Sequence, residues 1–111
     1  MIYAQYIYMF KCLSHRSRLR LMELLAAHGE MTVSEIAAAF QGEDIEDRDP
    51  STISRNLNIL RQQGFVSPRR EGQIKYYSLN IPKIEEAFEE FLKFLREAKT
   101  RLKTPLASHS S

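Results

Sequence analysis

A mainly helical domain carrying one small β-hairpin is the fold class that three observations predict. Apolar residues recur at helical spacing along most of the chain. Residues that start and stop helices stand where that periodicity breaks. Two short runs, residues 65 to 70 and 73 to 79, carry Phe, Val, Ile and Tyr on either side of Glu71-Gly72, which is a hairpin signal.

Met1 to Leu13 is rich in Ile, Tyr, Met and Phe, and as a helix it is apolar on nearly every side. Such a helix needs cover all round, and in a chain of 111 residues the cover is expected from a second subunit. Ser14 is expected to cap a second helix from about His15 to His28, with Leu19, Met22, Leu25 and Ala26 inward and Gly29 as its stop. Its first turn holds Arg16, Arg18 and Arg20, poor company for a helix amino terminus unless anions lie close. Thr32-Val33-Ser34-Glu35 has the form of a capping box and opens a third helix through Phe40, with Val33, Ile36, Ala37 and Phe40 buried.

The acidic connection Gln41 to Asp49 follows and is expected to be a solvated insertion directed away from any polyanion. Its Glu43, Asp44, Glu46, Asp47 and Asp49 lack the glycine and spacing of a Ca²⁺ loop, so no cation is assigned.

Asp49 to Val66 is the informative stretch. Asp49 caps, Pro50 suits the first helical position, and Gly64 supplies the stop. Ile53, Leu57 and Leu60 form one apolar stripe. The opposite side shows Ser51, Thr52, Ser54, Arg55, Asn58 and Arg61, with Asn56 nearer the edge, and no carboxylate. Arg matches guanine O6 and N7, Asn matches adenine, and short hydroxyls reach phosphates, so this face suits a groove of double-stranded DNA. In the hairpin, Arg69 and Arg70 enter the turn and Lys75 leaves it, which places cations where a wing would touch phosphate. Helix plus basic hairpin predicts a winged helix-turn-helix.

From Asn80 or Ile81 a last helix runs to about Lys103. Ile84, Ala87, Phe88, Phe91, Leu92, Leu95, Ala98 and Leu102 share one side, and Phe94 widens the arc. This arc exceeds what a small core needs, so residues 82–103 and 1–13 are expected to form the interface of a two-fold homodimer, and the DNA site to be an inverted repeat. Residues 104–111 are polar and expected to be a disordered tail, leaving residues 1–103 as one domain.

Charge is segregated although the net is only +2. Residues 1–20 carry four bases and no acid, residues 21–49 eight acids against Arg48, and residues 50–80 five bases against Glu71. Cys12 is the lone cysteine, which excludes an internal disulfide, and no apolar run reaches membrane length, so a cytoplasmic protein is expected. No nucleophile, base and orienter pattern or phosphate-cradling glycine loop supports an enzyme.

The chain from about Phe10 to Lys99 resembles the ArsR/SmtB family of winged-helix repressors. LSHRSRLRLMELL matches the opening helices, TVSEIAAAF the positioning helix, STISRNLNILRQQGFV the reading helix and REGQIKYYSLN the wing. The resemblance implies a homodimer on operator DNA that leaves it on a metal, oxidant or other signal. It implies DNA contacts from Ser51, Thr52, Ser54, Arg55 and Asn56 and from Arg69, Arg70 and Lys75. Asn56 stands where many members have His. Thr32 and Ser34 replace the Cys-x-Cys of members that sense thiophilic metals, and the last helix has acids but no His, so no metal or other cofactor is expected. The alternative is a winged-helix module that docks on protein.

Overall fold

A computed structural model describes residues 2–103, with side chains from Gln5 to Leu102. Met1 and the tail expected to be disordered lie outside the described residues. The elements are α1 (Ile2–Leu13), α2 (Arg16–His28), α3 (Val33–Phe40), α4 (Pro50–Gln62), β1 (Val66–Glu71), β2 (Ile74–Leu79) and α5 (Ile81–Lys103). The chain is therefore mainly helical with an antiparallel hairpin after the fourth helix, a winged helix-turn-helix. Contacts divide it into residues 1–81 and residues 82–111.

The core of the first unit follows the expected stripe in α4 and, at Ile36 and Phe40, in α3. In α2, Leu19 and Ala26, expected inward, are exposed, because the buried side of that helix runs through Ser17, Leu21, Leu24 and Leu25. Leu21 and Leu25 of α2, Ile36 and Phe40 of α3, Ile53, Leu57 and Leu60 of α4, and Phe65 are fully buried. Burying each such side chain contributes about 1.5 to 3 kcal/mol. At α3 the capping box is complete: Thr32 Oγ1 accepts from the Glu35 amide at 3.1 Å, and Glu35 Oε1 accepts from the Thr32 amide at 2.8 Å. Two amides at the start of a short helix are thereby satisfied.

The start of α2 departs from expectation. His15, not Ser14, is the N-cap residue and offers no side-chain bond, while the Ser14 hydroxyl donates back to the Lys11 carbonyl and closes α1. Of the three arginines at the start of α2, Arg20 finds its anion within the same chain. Arg20 makes a two-pronged pair with Glu43, Nε at 2.7 Å and Nη2 at 2.8 Å. This pairing holds the Glu43 carboxyl below its ordinary range.

The acidic connection is consequently not a loose insertion. Ile45 is buried, Asp47 lies 3.7 Å from His15, and Glu43 is held by Arg20, so residues 43–47 are fastened to α2 and the turn that precedes it. Among the described residues no group of three or more His, Cys, Asp or Glu could hold a metal ion.

The hairpin turn sits one residue later than expected. Glu71 pairs with Ile74, leaving Gly72 and Gln73 as the two central residues, and only Gly72 has a positive φ, of 64°. That is the demand of a II′ turn, which places glycine first and matches the twist of the strands. Beyond the hairpin, Met31 joins β2 as a one-residue bridge, exchanging both backbone bonds with Tyr77 at 3.0 and 2.8 Å. In α1, Ile7, Tyr8 and Phe10 are exposed while Met9 and Cys12 are buried. In α5, Phe88, Leu92, Phe94, Leu95 and Leu102 are exposed. No described helix is long and apolar enough to cross a membrane.

Candidate nucleic-acid interface

The amino terminus of α4 is fixed by Asp49. Its carboxylate accepts the Thr52 amide at 3.2 Å and the Thr52 hydroxyl at 2.7 Å, and it also accepts the Ser51 hydroxyl. These donors lower the Asp49 pKa to about 2. Ser51 and Thr52, expected as DNA contacts, thus already direct their hydroxyl protons to the cap. The far end is closed by a Schellman arrangement: the Gly64 amide donates to the Arg61 carbonyl at 2.8 Å and the Phe65 amide to that of Leu60 at 2.9 Å, with Gly64 at φ 80°. A helix stopped at both ends presents its outer face in one orientation.

That face holds Ser54, Arg55, Asn58 and Arg61, all exposed. Arg61 is steadied by its neighbour one turn back, its Nε and Nη2 donating to Asn58 Oδ1 at 3.1 and 2.8 Å. The Arg55 side chain has no hydrogen bond or ion pair among the described residues. A cation held on a rigid helix without an internal partner is available to an acceptor outside the molecule.

Asn56 is a correction. It is only 4% exposed and faces the core side of α4, so it is not part of the outward set. Its Oδ1 accepts Arg18 Nη1 at 3.0 Å, while Nδ2 is buried without an acceptor among the described residues. Arg18 also donates through Nε to the Cys12 carbonyl at 2.6 Å and through Nη2 to that of Lys11 at 3.2 Å. One guanidinium therefore satisfies the carboxyl end of α1 and ties it to α4, a favourable place for a cation. Cys12 lies buried beside this cluster; desolvation raises its pKa, and Arg18 opposes the rise without cancelling it. It is packed as a small apolar residue.

Spacing carried the signal for Asn56. It stands three residues after Ile53 and four before Leu60, which is a core position. Arg18 as its partner could not be read from spacing.

The wing presents two different faces because strand side chains alternate. On one, Arg70 and Lys75 are cross-strand neighbours. Like charges in that relation repel. Arg70 has no partner among the described residues, and Lys75 Nζ sits 5.6 Å from the Tyr77 ring centre. On the other, Arg69 stacks on Tyr76 at 4.8 Å and is bonded to Glu30 through Nε at 2.8 Å and Nη2 at 2.9 Å, and to Glu71 through Nη1 at 3.1 Å. Arg69, expected to hold phosphate, is thus engaged by two carboxylates, and its pKa is raised by them.

A capped helix with an uncharged-or-basic outer face, preceded by a positioning helix and followed by a basic hairpin, defines a helix-turn-helix nucleic-acid-binding domain. A family profile described as a helix-turn-helix domain matches residues 13–69. The chain is 34% identical over 88 residues to the transcriptional repressor SdpR of Bacillus subtilis, spanning 79% of this chain and 90% of that protein. It is 37% identical over 92 residues to the arsenic resistance regulator ArsR2 of Pseudomonas putida, spanning 83% and 74%.

Among solved structures, an ArsR-like regulator from Rhodococcus superposes with a TM-score of 0.75 at 20% identity over 92% of this chain and 90% of that one, a likeness of fold. A homodimeric winged helix-turn-helix domain from Mycobacterium bovis superposes with a TM-score of 0.60 at 32% identity over 91% and 84%. The chain belongs to the ArsR/SmtB family of DNA-binding transcriptional regulators, which are not enzymes.

Proposed function

We propose that the chain is a homodimeric repressor that binds an inverted-repeat operator through α4 and the wing. One observation carries the reading: α4 holds Ser54, Arg55, Asn58 and Arg61 outward on a helix fixed at both ends, with no carboxylate among them and Arg55 unpartnered. Arg55 and Asn58 read base edges. Ser54 sets register, with Ser51 and Thr52 beside it at the capped amino terminus joining it when their hydroxyls turn from Asp49, and Arg61 lies along the same face. Arg70 and Lys75 hold the backbone.

Dimerisation through residues 1–13 and 82–103 is supported by the exposed Ile7, Tyr8 and Phe10 in α1 and Phe88, Leu92, Phe94 and Leu95 in α5. The relative from M. bovis is itself homodimeric, which supports a dimer as such. Two reading helices related by a two-fold axis would face half-sites about one helical turn apart, or a multiple of that.

The signal is not a thiolate-bound metal, because Thr32 and Ser34 flank the start of α3 and Cys12 is single. Relatives named for arsenic and cadmium resistance therefore lend the fold but not the sensor.

Light scattering on the purified chain, with binding to a duplex from just upstream of its gene and to random duplex at two salt concentrations, tests this. The expected result is a dimer whose binding to the upstream duplex survives added salt. A monomer that ignores both duplexes would favour the alternative, a protein-docking module built on the same exposed residues.

A further inference from the structure

Beyond the base-reading helix, the wing carries a restraint of its own. Met31 holds β2 at Tyr77, and the next pair outward is Arg69 and Tyr76. Glu30, the residue before Met31, reaches that pair and grips Arg69 with both carboxylate oxygens at 2.8 and 2.9 Å. Arg69 is braced again by Glu71 at 3.1 Å and by the Tyr76 ring. The two cations without a carboxylate, Arg70 and Lys75, occupy the next pair toward the tip, on the opposite face. Geometry thus separates a clamp from a pair of available charges.

We propose that Glu30 is a positioning residue for DNA binding: by clamping Arg69 it fixes the wing so that Arg70 and Lys75, not Arg69, meet the phosphate backbone. The role rests on the reading of the chain as a DNA-binding regulator. It runs against simple electrostatics, in which removing an acid near DNA strengthens binding. It also assigns Arg69 to the protein instead of to phosphate, because its Nε, Nη1 and Nη2 each already donate to a carboxylate and its face is stacked on the Tyr76 ring.

Phosphate contacts carry no sequence information, so a mixed-sequence duplex is a sufficient probe. The proteins compared are the wild type, Glu30→Gln, Arg69→Ala and the double variant, across a salt series and well below the unfolding temperature of all four. Each single variant is expected to bind about two- to fivefold more weakly, the range of an exposed ion pair, and the double variant no more weakly than either. The slope of log affinity against log salt is expected to stay at the wild-type value. Arg70→Ala, in contrast, lowers that slope by roughly 0.9, one phosphate contact.

Tighter binding and a steeper slope for Glu30→Gln would show Arg69 released onto phosphate and would overturn the proposal. So would additive losses, or a flatter slope for Arg69→Ala. A wild type that ignored DNA would overturn the function itself, an outcome distinct from a wild type that binds while Glu30→Gln binds as well or better.

Discussion

The basic residues at the start of α2 and those of α4 and the wing look alike in sequence and serve opposite ends. Arg18 and Arg20 are turned inward: one closes α1 and reaches Asn56, the other fastens the acidic connection through Glu43. Arg55 and Arg70 are turned outward and meet no internal acceptor among the described residues. Arg69 shows how local the distinction is, since it differs from Arg70 only by the alternation of a strand and lands among carboxylates. Clustered positive charge therefore marks a region where acceptors matter, and tertiary packing decides whether those acceptors belong to the protein or to DNA.

The contrast is broken most severely at Arg18. Arg18→Ala removes charged donors from two carbonyls and from Asn56, and is expected to lower stability by about 1.5 to 3 kcal/mol, read by denaturant unfolding. The ratio of operator to random-duplex affinity, measured where the variant is folded, is expected to stay near wild type. A lost ratio at unchanged stability would place Arg18 among the DNA contacts.

A smaller effect follows acidification. The Asp49 carboxyl has a folded-state pKa of about 2 against an ordinary 3.8, so the stability it lends is present above the unfolded value and is lost as pH falls toward and through about 2. Glu43 and Glu30 are lowered as well and act in the same direction. The melting temperature is expected to decline on the acid side of about pH 4. Asp49→Asn is expected to make the decline shallower, while an unchanged acid limb would remove the cap from the account.

Local chemistry was legible in the sequence. Thr32 and Glu35 announced α3, Asp49, Pro50 and Gly64 framed α4, and the alternating runs around Gly72 announced the hairpin. The misreadings that involve the basic residues share a physical cause. Arg18 with Asn56, Arg20 with Glu43 and Arg69 with Glu30 are pairs separated by 38, 23 and 39 residues, and no helical or strand period connects them. Hence the acidic connection read as solvated, and Arg69 as a phosphate ligand. Asn56 is different in kind, because its place in the apolar stripe was visible and was outweighed by its polar side chain. The II′ turn moved by one residue because glycine is needed at the first central position, a rule that the sequence satisfied and the expected turn did not.

The central claim is that the outward face of α4 reads bases. Arg55→Ala tests it most directly, with affinity measured on a duplex selected for tight binding by the wild type and on random duplex. Loss of about 1 to 3 kcal/mol on the selected duplex, with relaxed preference at one or two base pairs and little change on random DNA, is the predicted result. An equal loss on both duplexes would mean that Arg55 touches only phosphate, and would contradict the account.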